Sequence, residues 1–118
     1  MPVNWGLLNR ADYENFDRVK EMLVMYNTHE RNAYRGDTVA HSILVDLHTA
    51  IYSGVLTRKQ LEAVEMYCID NLTMDDIGKS LGIGKPRVFN RLHGAIRNIQ
   101  KILVSGELFS VDREQNTP

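Results

Sequence analysis

Residues 72–93 read LTMDDIGKSLGIGKPRVFNRLH, and the local signals in this stretch leave few ways for the surrounding chain to fold. Thr73 sits where a helix N-cap belongs, and Asp76, three residues on, can complete a capping box. Ile77 and Leu81 lie four apart and form one apolar ridge, with Gly78 beside them where a second helix could come close. Gly82 is the residue type that ends a helix in the left-handed conformation. Ile83 is an apolar plug in the turn. Gly84 or Lys85 opens the next helix, with Pro86 in its first turn, where a missing N–H costs nothing. Val88, Leu92 and Ile96 then repeat at i, i+4, i+8 and mark the buried face of that helix.

Two helices joined by a glycine-centred turn, with the second helix basic outside, have the form of a helix-turn-helix, which places its second helix in the major groove of DNA. The outward residues Lys85, Arg87, Phe89, Asn90, Arg91 and His93 are therefore the candidate readers. Arg87 faces out in the first turn and can pair bidentately with guanine, and Asn90 can pair with adenine in the same way. Lys85 and Arg91 are candidates for phosphate contact, which positions a helix without reading sequence. Phe89 has two readings: contact with a thymine methyl, or an apolar contact within the protein or a dimer. Lys79, His93 and Arg97 are further candidates for backbone contact. The formal charge of −1 conceals a strong asymmetry. From 79 to 101 there are six Lys or Arg and no Asp or Glu, whereas the segments before 56 and after 103 are net acidic. Clustered basic charge on one helix is the electrostatic footprint of phosphate binding.

The chain from Leu56, LTRKQLEAVEMYCIDNLTMDDIG, together with VFNRLHGA from Val88, resembles region four of bacterial sigma factors. In that family a helix opening in Leu-Thr and rich in Glu precedes the helix-turn-helix. Regulators of the LuxR type share much of the pattern, and the run Arg91, Leu92, His93 is closer to the sigma form. The resemblance covers residues 56–103. The chain departs from the family at Gly84, where a small hydroxyl residue is usual, and at Phe89, where a polar or basic one is usual. Without a hydroxyl at position 84 the side-chain N-cap is lost. The resemblance implies a small promoter-reading domain of bacterial or phage type, with double-stranded DNA and RNA polymerase as partners.

The rest of the sequence predicts an all-α chain of about five helices. The first covers 11–27, with Tyr13, Phe16, Val19, Leu23 and Tyr26 along one stripe. Residues 27–36 are polar and read as a loop, and Asp37 can cap a helix over 38–53 whose inner face is Ala40, Ile43, Leu44, Leu47 and Ile51. Thr57 and Gln60 carry a second capping-box signature, ahead of a helix with Leu61, Val64 and Cys68 inside. Gly94 lies within the last helix, at a cost of about 1 kcal/mol relative to alanine, and implies a bend or a closely approaching backbone. Three segments follow: an N-terminal helical subdomain over 1–55 for packing or dimerisation, a DNA-binding domain over 56–104, and a polar tail over 105–118 expected to be disordered.

Chemistry other than binding finds no support. Asp75 and Asp76 diverge on a helix and favour its N-terminal dipole, which makes them structural. The run from Gly82 to Lys85 lacks the spacing of a phosphate loop and follows no strand. His41 and His48, two turns apart, fit a polar face or an interface edge. Arg35, Gly36 and Asp37 join a loop to a helix cap. Cys68 is the one cysteine and is expected as a small core group in a reducing cytoplasm. With four histidines lacking ligand spacing, no metal, cofactor or catalytic site is expected, and neither a secretory signal nor a membrane span is visible. The reading is a cytoplasmic DNA-binding transcription regulator, with a homodimer as the default assembly, and not an enzyme. Two alternatives share the same residues: a module that docks on RNA polymerase or an anti-sigma-like partner, and a DNA-recognition subunit for phage packaging like the small terminase subunits.

Overall fold

A computed structural model describes residues 10–105, which form seven helices and no strand. The polar tail expected to be disordered lies almost wholly outside them. The helices are α1 (Arg10–Glu14), α2 (Phe16–Val24), α3 (Tyr26–Tyr34), α4 (Thr38–Ile51), α5 (Arg58–Val64, continued by a π-helical turn Glu65–Ile69), α6 (Met74–Leu81) and α7 (Lys85–Ser105). The fold is all-α, with two more helices than the sequence implied.

One extra helix comes from a break in the stripe expected over 11–27, and the other fills the loop expected over 27–36. Asn15 is extended (φ −97°, ψ 114°), and its side chain accepts the Arg18 N–H at 3.2 Å, so it caps α2 and ends α1. Its preference for capping over helix-interior positions explains the break. At Met25 the axis turns while hydrogen bonding continues, from Met25 N–H to the Glu21 carbonyl and from His29 N–H to the Met25 carbonyl. The expected loop over 27–36 is helix α3. Its inward positions Tyr26 and His29 are both buried, but a histidine in the stripe hides the apolar period from a sequence scan. Asn27 also anchors this helix by donating to the Ile69 carbonyl at 3.2 Å.

The later elements follow their signals. Asp37 caps α4 by accepting the Ala40 N–H at 3.0 Å. At α5 the reciprocal capping box forms, Thr57 Oγ1 accepting from Gln60 N–H and Gln60 Oε1 accepting from Thr57 N–H, each at 3.1 Å. Thr73 accepts the Asp76 N–H at 3.1 Å. The π-helical turn had no sequence signal; it closes with the Asp70 N–H on the Glu65 carbonyl at 2.9 Å, and Asn71 leaves it at φ 59°. Asparagine is among the few residues that tolerate this left-handed backbone.

Helix α7 is the central element and packs against α1, α2, α4, α5 and α6, while α3 packs on α4. One core joins Val19, Met22 and Leu23 of α2, Ile43, Leu47 and Ile51 of α4, Val64 and Cys68 of α5, and Val88, Leu92, Ile96, Ile99 and Leu103 of α7. Cys68 is buried and its thiol is pushed up to about 12 by desolvation, the state of an inert core group. Tyr13 donates to Asp46 Oδ2 at 2.6 Å, and Gln100 donates to the Tyr13 carbonyl at 3.1 Å, so α1, α4 and α7 are also tied by polar contacts. Among the described residues, no helix is long and apolar enough to cross a membrane.

This packing sets two expected results. At Gly94 it is a side chain, not a backbone, that comes close: an added Cβ would lie 3.0 Å from Gln60 Nε2. Gln60 is held by Thr57 and by Asn98, whose amide donates to it at 3.2 Å, and it has little room to yield. Gly94→Ala therefore gains none of the roughly 1 kcal/mol of helix propensity, and a urea midpoint clearly above wild type would disprove the contact. His29 is only 2% exposed. Burial lowers its pKa below the ordinary 6.5, with the charge of Asp37 a smaller opposing influence. Above 6.5 neither state is protonated and stability is level. As pH falls below 6.5 the unfolded chain takes up a proton that the folded chain resists, so stability declines. Denaturation midpoints measured from pH 7.5 to 5 should fall, and His29→Gln should flatten that slope.

Candidate nucleic-acid interface

The turn between α6 and α7 sets the geometry of the basic face. Gly82 adopts φ 71°, ψ 32° and its N–H returns to the Gly78 carbonyl, as does the Ile83 N–H at 3.0 Å. Gly78 is buried, and a Cβ there would stand 2.7 Å from the Ile83 carbonyl oxygen. Ile83 packs against the core from the turn. Three residues, 82–84, thus reverse the chain with no slack, and α7 starts at Lys85 with Pro86 in its first turn.

Because Val88, Leu92, Ala95, Ile96 and Ile99 are buried, the helical period turns Pro86, Arg87, Asn90 and Arg97 to the opposite side. All four are exposed, as is Lys85, while Arg91 is half-buried on the flank. Lys79 is exposed on the last turn of α6 and borders a shallow recess with Lys85, Gly82 and Asp75. The first two turns of α7 therefore present Arg87 and Asn90 outward, with Lys85 exposed at the start of the helix and Arg91 on its flank.

Of the other three candidates, His93 and Arg97 are engaged with Phe16 of the N-terminal part, and Phe89 meets His93. Phe89 is 44% exposed and meets His93 edge-on, ring centroids 3.9 Å apart. His93 stacks on Phe16 at 5.4 Å and 14°, and the Arg97 guanidinium lies 5.4 Å from the Phe16 ring centroid. Phe16, assigned to a core stripe by its spacing, is thus half-buried at the edge of the basic face. Burial holds the His93 pKa below 6.5, and the charges of Lys20 and Arg97 act in the same direction.

Two pairs of residues near this face escaped the sequence reading. Phe16 and Lys20 come from α2, far from α7 along the chain, and no local pattern could have pointed to them. Arg58 and Lys59 are exposed in the first turn of α5, which Gln60 holds beside α7 through Asn98 at 3.2 Å. Here a signal did exist. Two cations directly after a cap residue oppose the helix dipole, an arrangement that gains if an anion lies nearby. Among the described residues, no three His, Cys, Asp or Glu side chains gather as a metal site would require. Compared with protein-family models, with curated proteins and with solved structures, the chain has no match.

Proposed function

We propose that this chain is a DNA-binding transcription regulator in which α6 and α7 act as a helix-turn-helix similar to region four of sigma factors. The observation that carries the reading is the basic outer side of α7, where Lys85, Arg87 and Asn90 are exposed and Arg91 is half-buried on the flank of the buried ridge. It lies in a stretch of six Lys or Arg without a single acid. A helix whose inner face is fully used by the core and whose outer face is cationic has the arrangement needed to enter a major groove. Lys85 and Arg91 hold phosphates on either side, Arg87 and Asn90 reach base edges, and Lys79, Arg58 and Lys59 extend the backbone contact. His93 and Arg97, braced by Phe16, fix the angle of α7 on the N-terminal helices.

Titration of a labelled duplex at low and at moderate salt tests this. Binding at low salt that weakens steeply with salt is expected, and a protein that ignores DNA at low salt would end the proposal. A docking module for RNA polymerase is the second reading, favoured by one observation: Phe89 exposes a large apolar ring in the middle of a charged face, as protein interfaces often do. Pull-down of polymerase without DNA, weakened by Phe89→Ala, would support it.

A further inference from the structure

We propose that Lys20 of α2 joins His93 and Arg97 of α7 in a phosphate site at the rim of the reading face, so that the N-terminal helices hold the DNA backbone directly. His93 and Arg97 stand one turn apart on α7, and the Phe16 ring organises both. His93 stacks on that ring at 5.4 Å and 14°, and the Arg97 guanidinium lies 5.4 Å from its centroid. Phe89 closes on His93 edge-on at 3.9 Å. Lys20, one turn after Phe16 on α2, is half-buried beside this cluster, close enough for its charge to act on the His93 ring.

What identifies the ligand is the sign of the charges at the cluster. The two that bear on His93 are Lys20 and Arg97, both positive, and among the described residues no charge of α4, α5 or α6 acts on the ring. Acids do occur on the neighbouring helices, Asp12 and Glu14 on α1 and Asp17 and Glu21 on α2. Asp12 is paired with Arg18. Among the described residues, none of Lys20, His93 and Arg97 forms an ion pair. Like charges gathered in this way repel one another in the free protein and are complementary to an anion. Arg97 is already held against an aromatic ring, so it loses little freedom when the anion arrives.

Position selects the source of that anion. Arg97 and Asn90 are exposed on the same side of α7, two turns apart and about 10 Å along the axis. A major groove is about 12 Å wide and is bordered by the phosphates. With Asn90 at the base edges, Arg97 and its neighbours therefore reach the rim, and the site rests on the DNA reading. A change of protonation follows from the same geometry. Burial disfavours a proton on the free His93 ring, and the two cations add to that effect. A phosphate beside the ring favours one. Binding then takes up a proton, and affinity rises by up to about tenfold per unit as pH falls between the pKa of the bound ring and that of the free ring.

Titration of the full chain with labelled duplex decides the matter. Lys20→Gln should weaken binding to every sequence by roughly threefold to tenfold at moderate salt and reduce the salt slope by about one unit, and Lys20→Arg should restore both. The Lys20→Gln melting temperature should match or exceed wild type, because a repulsive charge is removed, whereas a merely structural lysine would lower it. Calorimetry in buffers of different ionisation heat near pH 6.5, the ordinary histidine value, should detect proton uptake by wild type on duplex. His93→Gln should abolish that uptake, and His41→Gln, on the exposed side of α4, should not. A wild type that ignores duplex at low salt removes the DNA reading and this site with it. Duplex binding unchanged in Lys20→Gln, or proton uptake that persists in His93→Gln, overturns the site alone. Inorganic phosphate that shifts the His93 ring resonances as far as duplex does would assign the site to a free anion and overturn the backbone assignment.

Discussion

Replacement of Gly78 by alanine is expected to lower the stability of the fold by about 1–3 kcal/mol, the usual cost of forcing a methyl into a closed space. In an open helix interior the same change gains up to about 1 kcal/mol, so the expected sign is the reverse of the helix-propensity rule. The reason is geometric. The new Cβ would stand 2.7 Å from the Ile83 carbonyl oxygen and 3.6 Å from Val88 Cγ2. Ile83 has no easy retreat, because its own N–H is bonded to the Gly78 carbonyl at 3.0 Å and its side chain packs against the core. Relief requires a shift of the turn and with it the start of α7. Gly84 provides the contrast: a Cβ there meets only Pro86 Cδ at an ordinary 3.6 Å, so Gly84→Ala should cost no more than the roughly 1 kcal/mol preference for glycine over alanine at an N-cap. Urea midpoints of the two variants test this together. A Gly78→Ala protein as stable as wild type would show that the turn has slack.

The steepest expected decline in binding comes from removing charge on the basic outer side of α7. A protein with Lys85→Ala, Arg87→Ala and Arg91→Ala should bind duplex DNA roughly 100-fold more weakly at moderate salt, and its salt slope should shrink by about one unit for each phosphate it no longer holds. Arg87→Ala alone should cost about 1–3 kcal/mol on a preferred site and much less on random sequence, because it removes base discrimination more than attraction. Stability should change little, since Lys85 and Arg87 are exposed and none of the three belongs to the buried ridge of Val88, Leu92 and Ile96. Selection of bound sequences from a random duplex library, followed by titrations at two salt concentrations, measures both effects. An unchanged affinity in the triple variant would remove α7 from the interface. Arg97→Ala should behave differently: its guanidinium lies over Phe16, so part of its effect should appear in the melting temperature.

The features legible in the sequence are those governed by local chemistry. The caps at Asp37, Thr57 and Thr73, the left-handed Gly82, the start of α7 at Lys85 and the buried ridge of Val88, Leu92 and Ile96 each depend on residues within one or two turns. Local rules read such features well because side chain and backbone compete over a few neighbours. The exposure of Arg87 and Asn90 follows from the same period, as the complement of the buried ridge. Tertiary structure decided the rest. Helix α3 is polar and carries a buried histidine, and its anchorage to α4 and to the Ile69 carbonyl, not its own propensity, makes it a helix. The π-helical turn after Val64 and the left-handed Asn71 leave no mark in a periodic scan. Phe16 packs against the core as its spacing implies, but that it also stacks on His93 and under Arg97 depends on how the other helices fill the space around α7. Sequence periodicity states that a face is apolar or basic, but only the packed chain states what that face meets.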